Sequence, residues 1–352
     1  VTPDLSAIVV NFRSARKAVR CAATLREGFS REGIRGEIVL VDCGSGLEEQ
    51  GELSEASADV RVLLPENRGY SGGLNAGLAR AKGRCLLLSN ADVEYRPGAL
   101  SALLESALAK RTGAAAPRAE WDGEGRVFLP PGFDPGFLTE MALRGGGGSE
   151  ARDARRFTAF ARDALRLWTA GGAARHLAGA VLLSRREVFD HAGRFDERFP
   201  FEYEETEWEG RVRRCGFELR LVPGARVRHL WGSSAVPDPE TTRRREVSRR
   251  VFREDRYGKV GRTILERVER RPSRRFAPAL PRLEAPELPA RPGAWLGISP
   301  HASGFPFAGT HLSSPFRLPD EIRAAMPRGT WYWTVFSAGT GRPLERFTRE
   351  EP

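Results

Sequence analysis

With 352 residues, 40% of them hydrophobic, the chain has enough length and apolar content for one large domain and a smaller one, each with a core. A formal net charge of +10 excludes an acidic, solvating protein, and the absence of a run of about 18 apolar residues or of a basic-then-apolar opening argues against a membrane span or a signal peptide. Four cysteines, Cys21, Cys43, Cys85 and Cys215, lack pairing or metal-ligand spacing and fit a reduced compartment, so a cytoplasmic location is expected.

The first stretch alternates strands and helices. "LSAIVVNF" (5–12) reads as a buried strand, and Ser14 is placed to cap a helix whose Ala18, Val19, Ala22 and Leu25 fall at helical spacing. "EIVLVDCGS" (37–45) is a second strand ending at Asp42 and a turn over Gly44 to Gly46. "VRVLLPE" (60–66) follows, then "NRGYSGGLNAGLARAKG" (67–83), a glycine-rich entry into a helix that stops at Gly83. "CLLLSNADV" (85–93) is a fourth strand. The order predicts a doubly wound, mostly parallel sheet, which binds ligands at the carboxyl ends of its strands.

Those ends carry Asn11, Asp42 and the pair Asn90 and Asp92. On an extended chain Asn90 and Asp92 point the same way and offer oxygen ligands of the kind hard cations take. The alternative for Ser-Asn-Ala-Asp is turn chemistry closing a strand. A nucleotide with a metal on its phosphates fits the shared crevice. The glycine-rich stretch lacks the Rossmann spacing and the Lys-Ser/Thr of a P-loop, which disfavours a dehydrogenase or a P-loop ATPase.

Further on, "HLAGAVLLSRREVFDHAGRFDERF" (176–199) reads as strand, helix and loop. "FEYEETEWEGRVRRCG" (201–216) is a helix with Glu204, Glu205 and Glu207 where the dipole favours acids and Arg211, Arg213 and Arg214 toward its other end. From Arg243 to Arg275 cationic residues greatly outnumber acids. That segment suits either an anionic partner such as a membrane face or a solvated helix with internal Glu–Arg pairs, and no recognisable nucleic-acid motif accompanies it.

Together "AIVVNFRS", "EIVLVDCGS", "NRGYSGGLNAGLARAKG", "LLLSNADVEYRPGAL", the 177–219 stretch and "VRHLWGSSA" resemble family 2 glycosyltransferases of GT-A fold, the rhamnosyltransferase-like branch in particular, through residues 5 to about 235. The resemblance implies an α/β GT-A nucleotide-sugar-binding domain over 1–240. Beyond it we expect a basic helical extension (241–270), a Pro-rich linker (271–293) and a small β module (294–352), with a hairpin turning at Gly339 to Gly341. Trp295, Trp331, Tyr332 and Trp333 fit either that module's core or a sugar-stacking face.

The resemblance also implies roles. Asp92 matches the position that holds a divalent metal, Mn²⁺ or Mg²⁺, on the donor diphosphate, and His229 would complete the set. Asn11, Asp42, Asn67, Gly69, Gly73, Asn75, Asn90 and Gly179 fall on donor-binding positions, with Asp42 toward the base and Asn90 in place of the motif's first acid. Glu204 and Glu205 fall on a Glu-Asp pair whose second member is the usual base. Here that member is one methylene longer, which leaves either glutamate as the base.

The implied activity is inverting, metal-dependent transfer of a sugar from a UDP- or dTDP-sugar to a glycan or lipid-linked glycan, as in polysaccharide or cell-wall synthesis. Peripheral membrane contact would come through 243–275, and no nucleic acid is expected. The other reading is a catalytically degenerate nucleotide- or glycan-binding protein. The poorly matching stretch 111–175, with its run Gly145 to Gly148, is expected to be an acceptor-side lid or a disordered insert.

Overall fold

The computed structural model describes residues 2–134, 136–145, 150–232, 239–270, 280–285 and 287–351. Its elements begin with β1 (Leu5–Asn11), α1 (Ala15–Arg31), β2 (Gly36–Cys43), α2 (Leu47–Leu53), β3 (Val60–Leu64), α3 (Gly69–Leu78), β4 (Cys85–Asn90), β5 (Val93–Tyr95), α4 (Ala99–Leu108) and β6 (Thr112–Glu120). Next come β7 (Val127–Phe128), α5 (Phe137–Gly145), α6 (Glu150–Thr169), β8 (Gly172–Ala174), β9 (Val181–Arg185), α7 (Arg186–Ala192), α8 (Glu204–Arg214), β10 (Glu218–His229) and α9 (Pro239–Arg270). The remainder holds β11 (Glu287–Leu288), β12 (Ala294–Ser299), β13 (Ala308–His311), β14 (Phe316–Arg317), α10 (Asp320–Ala325), β15 (Gly329–Ser337) and β16 (Pro343–Glu351).

The chain divides into two compact units: residues up to Ala119 with Gly171–Phe252, and Glu120–Ala170 with the residues from Arg253 onward. This division differs from a boundary near 240. Residues 120–170 cluster with the C-terminal stretch, and α9 crosses between the units, its helical path broken at Gly258 (φ 68°).

In the first unit β6, β9, β4, β1, β2 and β3 lie side by side. The β4–β1–β2–β3 block is parallel, and β9 runs antiparallel to β4 and β6. The α/β class with a mostly parallel centre is the one expected. Every residue of β1 is buried, as a central strand covered on both faces requires. Helix α1 buries Ala15, Ala18, Cys21, Ala22, Leu25 and Phe29 against the sheet. Its start departs from expectation: the Ser14 side chain makes no cap, and the Glu49 carboxylate accepts from Ala15 N at 2.9 Å instead.

The second unit carries its own antiparallel sheet, β16–β15–β12–β13–β7, and the expected hairpin is β15–β16. The stretch expected to be a lid or an insert supplies α6, whose Phe157, Ala161 and Trp168 are buried with Trp295, Phe305, Phe307 and Phe336. Trp168 stacks on Trp295 with centroids 5.7 Å apart. Trp295, Trp331 and Trp333 are buried, so they are core rather than a sugar-stacking face. Gly146 to Gly148 and residues 271–279 of the expected linker lie outside the described residues.

Candidate active site

Strand register assembles one side of the site. Asn11 stands opposite Asp42, and Val10 opposite Asn90, so three strand ends meet at the carboxyl edge of the parallel block. Asn11 Nδ2 donates to Asp42 Oδ1 at 3.0 Å, and Asp42 also accepts from Ser45 N at 3.1 Å and from Ser45 Oγ at 2.5 Å. Asn11 and Asp42 are fully buried. Asp42 therefore pins the Gly44–Gly46 turn, and Ser45, only half-buried, is the member of this cluster nearest solvent.

Asn90 is the last residue of β4, but Asp92 is not one step along an extended chain: it occupies a turn between β4 and β5. That turn is fixed by β10, which pairs antiparallel with β5 so that His229 stands opposite Val93 and Leu230 N donates to Asp92 O at 3.0 Å. The pairing brings two residues 137 positions apart together, with His229 Nε2 3.3 Å from Asp92 Oδ1 and both side chains largely buried. A carboxylate oxygen and an imidazole nitrogen at this spacing suit an intermediate divalent cation such as Mn²⁺. No cluster of three or more His, Cys, Asp or Glu side chains able to hold a metal occurs among the described residues. The pair would therefore need further oxygen ligands, such as those of a diphosphate, to close a cation's shell. Lys17, on the first turn of α1, feels the Asp92 charge, although burial outweighs it and pulls the ammonium pKa down.

Helix α8 builds the opposing side. It is preceded by Glu202 (φ 65°) and Tyr203 (φ 71°), two non-glycine residues in the left-handed region, a conformation that costs on the order of 1–3 kcal/mol each. The first half of α9 holds this turn: Ser248 Oγ accepts from Phe201 N at 3.2 Å, Arg245 pairs with Glu202 at 2.8 Å, and Phe252 packs on Tyr203 at 4.8 Å. Trp208 stacks on Phe189 and donates to Gly193 O at 3.0 Å, fixing the helix behind the site.

Glu204 and Glu205 thus enter the site with Glu204 Oε2 and Glu205 Oε2 both buried and without a hydrogen-bond partner, and the buried Tyr70 hydroxyl of α3 shares that condition. Burial first, then the Glu205 charge, pushes the Glu204 carboxyl well above the ordinary range. Burial also raises Glu205, while His176 pulls it back down. Tyr70 is pushed up by burial first and then by the charges of Glu204, Glu205 and Asp92. Orphaned buried polar atoms are costly unless a ligand satisfies them. Gly179 lies directly against Glu205: a Cβ there would sit 2.7 Å from Glu205 Cγ.

The glycine-rich segment is tied into the fold by its own contacts. Gly73 lets α3 approach the sheet, since a Cβ would meet Cys43 Sγ and Val10 Cγ1 at 2.7 Å. Asn75 spends its amide on the Phe195 backbone, accepting at 3.1 Å and donating at 2.9 Å. Asn67 Oδ1 accepts from Gly69 N at 2.8 Å, and Arg244 donates to Asn67 O at 2.8 Å. Tyr70, Lys17, His176 and Glu209 were not among the residues singled out from sequence. Only Glu209 left a signal there, four positions beyond Glu205 on the same helix face.

Residues 6–168 match the family model described as "Glycosyl transferase family 2". The chain is 30% identical over 220 residues to N-acetylglucosaminyl-diphospho-decaprenol L-rhamnosyltransferase of Mycobacterium tuberculosis, covering 57% of this chain and 69% of that one. It is 33% identical over 108 residues to the succinoglycan biosynthesis protein ExoO of Rhizobium meliloti, 30% of either chain. The chain belongs to glycosyl transferase family 2.

Among solved structures it is similar to GalNAc-T7 with UDP, GalNAc and Mn²⁺ (TM-score 0.49, 18% identity, 76% of this chain and 54% of that one). It is also similar to the mannosyltransferase PcManGT from Pyrobaculum calidifontis with GDP-Man and Mn²⁺ (TM-score 0.46, 16% identity, 73% and 62%). This chain thus spans under a third of ExoO and about half of the GalNAc-T7 chain. No helix among the described residues is long and apolar enough to cross a membrane.

Proposed function

We propose that this chain is an inverting glycosyltransferase of GT-A type that moves a sugar from a nucleoside diphosphate donor to a hydroxyl of a glycan or lipid-linked glycan. The observation that carries the reading is the Asp92–His229 pair together with the buried, unpartnered oxygens of Glu204 and Glu205, the charges of both glutamates and of Asp92 all acting on the buried Tyr70 hydroxyl. The name of the mycobacterial relative, an N-acetylglucosaminyl-diphospho-decaprenol L-rhamnosyltransferase, supports the lipid-linked choice.

Asp92 and His229 would hold Mn²⁺ or Mg²⁺, which when bound neutralises charge on the diphosphate. Lys17 adds a cation beside Asp92. Ser45 and the Gly44–Gly46 turn, pinned by Asp42, meet the nucleoside. Glu205 takes the proton of the acceptor hydroxyl as its oxygen attacks the anomeric carbon. The new C–O bond forms as the bond to the diphosphate breaks, and the electron pair leaves with the diphosphate. The contact with Gly179 keeps the longer glutamate arm in place. Contact with anionic lipid through 243–275 belongs to this reading.

Calorimetric titration of UDP, dTDP and GDP, each with Mn²⁺, Mg²⁺ or EDTA, tests the donor side. Binding of one nucleotide that needs the metal and is lost in Asp92→Ala is the expected result. Equal binding in EDTA, or in the variant, contradicts it.

A further inference from the structure

The roles above leave two buried side chains of opposite charge type unused. His176, in the segment leading to β9, makes a short hydrogen bond through Nδ1 to Glu209 of α8, and Leu177 N donates to the same carboxylate at 3.2 Å. Glu209 is fully buried, and the His176 side chain is 9% exposed. A buried pair of this kind returns little net stability for its desolvation cost, so its position is informative.

Glu209 stands one helical turn after Glu205, on the same face of α8. The segment 176–179 runs along that face, with His176 against Glu209 and Gly179 against Glu205. Glu205 there presents a buried oxygen with no partner. We propose that His176, held by Glu209, is a positioning residue whose positive charge keeps Glu205 ionised and leaves the proton of the adjacent pair on Glu204.

The groups that face Glu205 agree with this sorting. Glu202, Glu204 and Glu209 act on it from α8 and the turn before that helix, and Tyr70 of α3 feels its charge. Burial disfavours a negative charge on Glu205 most, and the charges of Glu209 and Glu202 add to that. His176, from the segment before β9, is the side chain that favours it, alongside a backbone hydrogen bond to the Glu205 carboxylate. Two adjacent buried carboxylates cannot both ionise cheaply, so a cation near one of them decides which keeps the proton. Glu205 is then the base and Glu204 a neutral hydrogen-bond donor. For its purpose the inference rests on the glycosyltransferase reading, but its test does not.

The full chain, labelled with ¹³C at glutamate carboxyls, is titrated by NMR, and the Glu205 resonance is assigned by its loss in Glu205→Gln. His176→Gln keeps a hydrogen-bonding group but no charge, and should move the Glu205 midpoint up by about one pH unit. His176→Lys restores the charge and should bring the midpoint back toward the wild type. An unmoved midpoint in a folded His176→Gln overturns the proposal, as does an equal upward shift in both variants, which would report lost packing rather than lost charge. If His176→Gln does not fold, His176→Lys decides alone: a wild-type or lower midpoint supports the proposal and a raised one overturns it. No nucleotide enters the titration, so a failure to bind UDP, dTDP or GDP would count against the proposed activity and leave this result standing.

Discussion

Glu205 and Gly179 set each other's position. A Cβ at 179 would stand 2.7 Å from Glu205 Cγ and 2.9 Å from Cδ, so Gly179→Ala must push the carboxylate away from the acceptor. A displacement of about 1 Å costs about 10²-fold in rate when geometry is tight. Gly179→Ala is expected to lower turnover by about that factor with nucleotide affinity unchanged, and equal turnover in the two proteins contradicts the placement. Glu204 carries a different prediction. Burial and the Glu205 charge raise its pKa in the folded protein, whereas in the unfolded chain a value of about 4.3 applies. The stability contributed by the neutral acid is complete below that value and is lost as pH rises through the folded one. A permanently neutral Glu204→Gln should therefore raise the melting temperature at about pH 8, with the gain gone by about pH 4. A gain independent of pH contradicts this account. At this scale Asp92, His229, Glu204 and Glu205 each stand out in the sequence from a short motif, and the structure adds that Asp92 and His229 meet at 3.3 Å. Tyr70 and His176 do not stand out, because a hydroxyl or an imidazole facing an acid from a distant segment leaves no local pattern.

Among the elements, the glycine-rich stretch forms the helix expected of it, α3, whose Gly73 packs on β1 and β2 and whose Asn75 ties down the Phe195 loop. Gly69 is the sharpest case, with φ +80° and a Cβ position 2.3 Å from Pro200 O. Gly98 has the same φ and nothing within 4 Å of its Cβ position. Gly98→Ala should therefore cost only the left-handed strain, about 1 kcal/mol, while Gly69→Ala adds a backbone clash and should cost about 2 kcal/mol or more by urea unfolding. Equal costs contradict the docking of α3 on the 199–200 backbone. The strands of the parallel block were legible from their apolar runs. The register that places Asn11 beside Asp42 and His229 beside Asp92 was not, because periodicity gives a strand's faces but not its partners.

At the scale of the whole molecule, composition located the basic segment without revealing its use. Arg243 and Arg244 pair with Glu240, Arg245 with Glu202, Arg256 with Asp134, and the buried Arg253 with Glu140 and Glu269. Part of the positive charge is therefore structural, clamping the turn before α8 in the first unit and bracing α5 in the second. In the second unit the C-terminal strands and the β15–β16 hairpin were legible, but the joining of α6 to strands more than a hundred residues later was not, because no local signal records such packing. The central claim is that these elements serve sugar transfer with Glu205 as base. It is tested most directly by measuring nucleoside diphosphate release from UDP-, dTDP- and GDP-sugars in the presence of a polyprenyl-diphosphate-linked sugar acceptor, with the wild type and Glu205→Gln. Acceptor-dependent release from one donor by the wild type, with turnover abolished in Glu205→Gln while that nucleotide still binds, is the predicted result. Undiminished release by Glu205→Gln would contradict it.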